Sequence, residues 1–339
     1  MRRTIGMVIA AFLIASGIAE AQPAREKIII DSDIGDDIDD AFAVALALSS
    51  PELDVLGFSA AFGDTETRAK MFDHMLGETG HSDIPVAMGT PVDVNRNAFT
   101  QRRYAEGGSF ARTSHPGSVD FVLGQARKYP GQITLVAIGP LANVGAMIDH
   151  DPAGFKLLKR VVIMGGSIRT LEDPYGVAPP IAPHPEWNIK NDIASAKKLF
   201  QSGVPLYVMP LDSTANLKLH EVARTAIFAH GSMMTNILAG LYYEWSAATR
   251  ASTPTLYDPM TLASMLDPSL CPTTPMHIDV DDAGNTKETP GTPNAHVCLH
   301  SDDDAFLRFY VKRVTSAAVS KLATSSISGS ERSSKPERH

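Results

Sequence analysis

Short runs without polar alternation recur along the chain: KIII at 27–30, ITLVAI at 133–138, VVIM at 161–164 and LYVM at 206–209. A strand with one wet face alternates between apolar and polar residues; a strand covered on both faces does not. These runs therefore predict buried strands of a parallel sheet, and Leu53–Ala60 predicts another. Helices are expected between them: Ala41–Leu48, Glu66–Leu76 with Ala69, Phe72 and Leu76 on one side, Leu141–Ile148, Ile193–Phe200, Ser232–Ala247 and Pro259–Leu266. Two late strands, near His277–Val280 and His296–Leu299, precede a last helix over Asp304–Val319. This order predicts an α/β fold: a mostly parallel central sheet with helices on both faces, Rossmann-like.

Composition narrows the partners. The 339 residues are 44% hydrophobic, enough for a sizeable core. Two Cys exclude a disulfide-framework domain and a four-Cys zinc site. The balance of 30 basic and 38 acidic residues, a net charge of −8, argues against nucleic acid or an anionic membrane as partner.

The ends differ from the middle. Arg2 and Arg3, the apolar stretch Met7–Ile18 and Ala19-Glu20-Ala21 have the order of a secretory signal peptide over 1–21. Cleavage would leave Gln22 first, no membrane-spanning segment, and a secreted or periplasmic address. There Cys271 and Cys298 are able to pair; two buried thiols are the alternative. Residues 22–324 form the expected single domain. The Ser-, Lys-, Arg- and Glu-rich stretch 325–339 reads as a disordered tail.

In open parallel sheets, ligands sit beyond the carboxyl ends of the strands. Three segments occupy such ends: the acidic run after KIII, the Ile138-Gly139-Pro140 corner, and Gly165-Gly166 after VVIM. The acidic run, DSDIGDDIDD at 31–40, holds six Asp in ten positions between two apolar elements. Carboxylates packed this closely need a cation, protons or water to offset their repulsion. Hard oxygen donors favour calcium or magnesium over zinc or copper, and calcium suits a crowded site. An EF-hand is excluded, because its sixth and twelfth positions would be Asp36 and Phe42. Asp31-Ser32-Asp33 is also similar to the Asp-x-Asp opening of haloacid-dehalogenase-type phosphatases, which would make Asp31 a nucleophile. The Lys and later acidic pair of that class are not found.

KIIIDSDIGDDIDDAFAVALAL strongly resembles the opening of the inosine–uridine-preferring nucleoside hydrolases. Further segments agree in order: Phe62-Gly63-Asp64, AIGPLANV (137–144), VVIMGG (161–166), PEWN (185–188) and LYDPMTLASMLDP (256–268). The resemblance spans residues 27–320, nearly the whole mature chain. It implies the nucleoside hydrolase fold, a homo-oligomer (dimer or tetramer), and calcium-dependent hydrolysis of a nucleoside's N-glycosidic bond, for salvage. Calcium would hold the ribose hydroxyls and a water, and an Asp would deprotonate that water. The chemistry is sound, because an oxocarbenium-like sugar is stabilised by nearby negative charge.

Carried onto this chain, the resemblance makes Asp33, Asp40 and Asp258 metal ligands, with Ile138 giving its backbone carbonyl. Asp39 becomes the general base. Glu186 and Asn188 become ribose contacts, with Trp187 as a flat apolar surface between them. Asp64 stands where the family usually has an Asn against the ribose. Tyr257 replaces the His that some members use to protonate the leaving base. Pro180 falls where some members carry an Asn for the 5′-hydroxyl. The turn between Asp33 and Asp39-Asp40 is two residues longer than usual, so it must bulge, and Asp37 could replace a neighbour. A riboside-binding protein without catalysis is the alternative function; intact Asp39 argues against it.

Overall fold

Strand β1 (Glu26–Ser32) has parallel neighbours on both sides, β2 (Leu53–Ala60) and β4 (Ile133–Ala137). The computed structural model describes residues 24–92, 99–108, 112, 114–172 and 179–316. The signal-peptide segment 1–21 and the tail 325–339 lie outside the described residues.

The other strands are β3 (Val86–Met88), β5 (Arg160–Met164), β6 (Leu206–Met209), β7 (Thr273–Met276), β8 (Ile278–Val280), β9 (Thr286–Glu288) and β10 (Ala295–Cys298). Eight form one sheet in the order β3-β2-β1-β4-β5-β6-β10-β7, all parallel except β7 against β10. The sequence run Ile28-Ile29-Ile30 shows why both faces are dry. Successive side chains point to opposite faces. Ile28 and Ile30 join one apolar core, with helices Asp39–Leu48, Met233–Thr249 and Pro259–Leu266. Ile29 joins the other, with helices Ser118–Lys128, Ala142–His150 and Ile193–Gln201. The α/β architecture read from the sequence is therefore the observed one.

The topology reverses beside β1. The chain proceeds to β2 and β3 on one side, then crosses to β4 and β5 on the other. A crevice opens beyond the carboxyl ends at such a switch point. Here those ends deliver Ser32-Asp33 and Ile138.

The strand expected near His277 is present as β8, and it pairs only with β9, outside the main sheet. Two late features differ from the sequence reading. The edge strand β7 falls in CPTTPM, to which the sequence reading assigns no element; its Pro275 is tolerated because an edge has no partner on that side. The last helix spans Asp303–Val314, not to Val319. Cys271 and Cys298 are joined as a disulfide. Among the described residues, no helix is long and apolar enough to cross a membrane.

Candidate active site

Asp39 and Asp40 open the Asp39–Leu48 helix, and Asp258 immediately precedes the Pro259–Leu266 helix. These two helices pack together. One carboxylate oxygen from each of Asp39, Asp40 and Asp258 lies within 4.8 Å of the others, and all three residues are buried. Ser32 donates to Asp40 Oδ1 at 2.6 Å, and the Asp258 amide donates to Asp39 Oδ2 at 3.3 Å. Asp33, also buried, lines the same cavity of about 640 Å³. Its carboxylate is tucked against the Gly139 corner, where a Cβ would come within 2.7 Å of Asp33 Oδ1.

Electrostatics follow from this crowding. Burial pushes the Asp39 carboxyl well above the usual range, with the charges of Asp37 and Asp33 adding to it. Burial does the same to Asp40, helped by Asp33 and Asp39, and to Asp258, helped by Asp39, Asp40 and Asp33. Asp33 is pushed up to about 7 by burial, although the Arg68 charge opposes the shift. Among the described residues, none of Asp39, Asp40 and Asp258 forms an ion pair with Lys or Arg. A buried carboxylate cluster without a cation is unstable when ionised. Its all-oxygen donor set fits a hard divalent cation. Asp39, read from the sequence as the base, thus converges with Asp40 and Asp258, read there as ligands.

The longer acidic turn does bulge. Gly35 has φ +112°, and a Cβ there would strike the Phe99 ring at 2.4 Å. The amides of Thr100 and Gln101 donate to the Gly35 carbonyl at 2.8 and 3.2 Å. Gln101 Nε2 donates to the Asp37 carbonyl at 2.8 Å. The bulge leaves Asp37 at the cavity wall but outside the three converging carboxylates, its Oδ1 accepting from the Ile38 amide at 2.7 Å.

Glu186, Trp187, Asn188 and Tyr257 line the same cavity. Glu186 is buried and held in place: its oxygens accept from the amides of Asn188 at 2.9 Å and of Gly166 and Ile189 at 3.1 Å. Burial nonetheless pushes its carboxyl up. Asn188 Nδ2 donates to the carbonyls of Ile138 at 3.2 Å and Met164 at 3.1 Å. The Ile138 carbonyl, expected toward a metal, therefore already accepts one bond; its second lone pair is the one a cation would use. Burial pushes the Tyr257 phenol up, so it is neutral.

Asp64 stands apart. It does not line the cavity; it caps the Thr65–Glu78 helix, accepting from Thr67 N at 3.1 Å, and pairs with Arg102 at 3.1 Å. Asp31 is also out of the cavity, wholly buried and accepting from Asn143 Nδ2 at 2.8 Å. That position denies it the nucleophile's place in the phosphatase reading.

Sequence reasoning missed Arg68. It is 2% exposed, donates to the carbonyls of Phe62 at 2.7 Å, Ile34 at 2.9 Å and Asp33, and pairs with Asp36 at 3.0 Å. One guanidinium fork thus pins the acidic turn from behind. The signal was present: a buried turn this acidic needs an internal cation. Trp245, at the cavity wall, was read only as part of a helix.

A switch-point crevice lined by clustered buried carboxylates defines a hydrolase-type site able to hold a divalent cation. Residues 28–308 match the family described as inosine-uridine preferring nucleoside hydrolase. The chain belongs to that family and is a hydrolase of N-glycosyl bonds. The pyrimidine-specific ribonucleoside hydrolase RihA of Citrobacter koseri is 30% identical over 316 residues, 85% of this chain and 97% of that protein. A probable uridine nucleosidase 2 of Arabidopsis thaliana is 31% identical over 271 residues, 73% of this chain and 79% of that protein. In fold, the chain is similar to a plant nucleoside hydrolase, the PpNRh1 enzyme (TM-score 0.75, 24% identity, 86% of this chain and 99% of that one). It is likewise similar to a purine-preferring ribonucleoside hydrolase from Gardnerella vaginalis (TM-score 0.74, 22% identity, 86% and 98%).

Proposed function

We propose that this chain is a calcium-dependent ribonucleoside hydrolase that releases free base and ribose, with Asp39 as general base. The observation that carries this reading is the convergence of Asp39, Asp40 and Asp258 within 4.8 Å in a buried site. Asp33, Asp40, Asp258 and the Ile138 carbonyl would hold the ion, and Asp37 is left outside. Bound calcium supplies Lewis-acid polarisation of water and a grip on vicinal hydroxyls.

The chain's own residues do the rest. Asp39 accepts the proton of the attacking water, as a carboxylate within hydrogen-bond reach does. Glu186, fixed by three backbone amides, accepts from a sugar hydroxyl. Asn188 spends its Nδ2 protons on two carbonyls, which leaves Oδ1 as its acceptor for another hydroxyl. Trp187 covers the sugar or base with an apolar face. Negative charge around the sugar favours an oxocarbenium-like transition state. Tyr257 is the donor toward the leaving base. Asp64, expected at the ribose, is assigned instead to capping its helix.

Uridine is the first substrate to test, because two relatives near 30% identity are named for pyrimidine nucleosides or uridine. The mature enzyme is proposed to act outside the cytoplasm, in periplasm or medium. The signal-like segment motivates that address, and the Cys271–Cys298 pairing is in keeping with it. Fractionation of cells expressing the full chain tests the address; protein retained in the cytoplasm with residues 1–21 attached contradicts it.

The test of activity is reducing-sugar release from uridine, cytidine, inosine and adenosine by purified protein with added calcium. Release from at least one is expected. No release from any, with calcium and ribose still raising the melting temperature, would leave a riboside-binding protein.

A further inference from the structure

Four consecutive backbone amides in the turn after β5 donate to side chains from three other elements. Gly166 N donates to Glu186 Oε2 at 3.1 Å, and Ser167 N to Thr286 Oγ1 at 2.8 Å. Ile168 N donates to Asp212 Oδ2 at 2.9 Å, and Arg169 N to Asp212 Oδ1 at 2.6 Å. Most backbone donors pair with backbone carbonyls. A run of four that does not is a turn shaped by distant side chains.

Thr286, the first residue of β9, is 2% exposed, and its hydroxyl also donates to the Ser167 carbonyl at 3.1 Å. The one hydroxyl thus accepts and donates on the same residue. Gly166 has φ +94°, and a Cβ there would come within 3.0 Å of Thr286 Oγ1. Asp212, in the Leu211–Thr214 helix, uses both carboxylate oxygens on the turn, and the neighbouring Leu211 amide donates to the Gly166 carbonyl at 2.8 Å. The peptide between Gly166 and Ser167 is therefore held at its carbonyl by Leu211 and at its amide by Thr286. The β8–β9 hairpin, outside the main sheet, reaches the site through this contact.

Neither Asp212 nor Thr286 lines the cavity, whereas Glu186 does. Two of the three amides on Glu186, those of Asn188 and Ile189, belong to its own short helix. They fix the carboxylate relative to that helix. The third, from Gly166, fixes the carboxylate itself relative to the sheet, whose β1 end carries Asp33.

We propose that Asp212 and Thr286 are positioning residues: they hold the 166–169 turn so that its first amide aims the Glu186 carboxylate at the sugar. The inference rests on the hydrolase reading above, in which Glu186 accepts from a sugar hydroxyl. A shifted turn would leave Asp39, Asp40 and Asp258 in place and move the sugar contact. A misplacement of about 1 Å caused far from the chemistry can cost about 100-fold in rate.

The test reads kcat/KM on the best nucleoside beside thermal melts with and without calcium. Thr286→Val keeps the shape and removes the hydroxyl. Asp212→Asn keeps the shape and turns one acceptor into a donor that faces an amide. Each should lower kcat/KM by at least ~10-fold, while the rise in melting temperature given by calcium stays at its wild-type size. Thr286→Ser, which keeps the hydroxyl, should recover most of the activity. In a Glu186→Ala background, Asp212→Asn and Thr286→Val should add little, because the carboxylate they aim is gone.

Losses that multiply in the Glu186→Ala background, or that come with a smaller calcium shift, would mean that the turn supports the fold at large, and the inference falls. Thr286→Ser as impaired as Thr286→Val contradicts it too. Asp212→Asn and Thr286→Val with wild-type kcat/KM overturn the inference alone. Wild-type protein that releases ribose from no nucleoside overturns the hydrolase reading and this inference together.

Discussion

The backbone amide of Asp258 donates to Asp39 Oδ2 at 3.3 Å, joining two residues 219 positions apart in sequence. This contact closes the acidic turn of β1 onto the start of the Pro259–Leu266 helix. It also forces Asp39, Asp40 and Asp258 to share one small volume. Replacing Asp40 by Asn keeps an acceptor for Ser32 and removes one buried charge. The metal-free protein should therefore melt higher at pH 8, by about 3 °C for each kcal/mol of repulsion relieved. The stabilisation given by calcium should largely disappear. Paired thermal melts with calcium and with chelator check this; an unchanged calcium shift contradicts it.

Proton linkage gives a second expectation. Asp33 is pushed up to about 7, and Asp39, Asp40 and Asp258 are also raised, in each case by burial first. A carboxyl raised in the folded state binds its proton more tightly there than when unfolded. Its stabilising contribution is complete below the ordinary value of 3.8 and is lost as pH rises through about 7. Chelator-treated protein should lose thermal stability between pH 5 and pH 8. The shift produced by calcium should grow over the same window, because the ion competes with those protons. Parallel curves with and without calcium would exclude the linkage.

Arg68 is expected to be the costliest single side chain outside the carboxylates. Arg68→Met leaves Asp36 and three carbonyls without their donor. Breaking a buried ion pair on one side costs about 3–5 kcal/mol. Arg68→Lys should recover only part of that, since an ammonium cannot span the same fork. Denaturant titration measures the cost, and calcium titration of the surviving fold should show weaker binding.

The Cys271–Cys298 bond links the turn just before β7 to the end of β10, a sequence separation of 27. Closing a loop of that size stabilises by about 3.5 kcal/mol on chain-entropy grounds. The Cys271→Ser, Cys298→Ser double variant should lose that stability with little change in kcat, because neither residue lines the cavity. Urea titration beside steady-state kinetics checks both halves.

Much of this was readable from residue order, for definite reasons. Ile28-Ile29-Ile30 announced a strand dry on both faces, and the cores on either side of β1 bear that out. Asp33, Asp39 and Asp40 stood out because a crowded acidic turn at a strand end demands a partner, whereas Asp258, 219 positions from Asp39, was reached only through the family resemblance. Asp64 was misleading, because an acidic residue before a helix serves equally well as a cap. Arg68 was hidden, since one Arg on a helix looks solvated until the turn packed against it is known. Strand β7 was missed because Pro275 argues against a strand everywhere except at an edge.

The most direct test of the account is ribose release from its best nucleoside by purified protein, with calcium, with excess chelator, and with Asp39→Ala in place of the wild type. Release that stops with chelator, returns with calcium, and falls by at least ~100-fold in Asp39→Ala is the predicted result. Release that persists undiminished in chelator, or in Asp39→Ala, would contradict the claim that this carboxylate cluster carries the reaction.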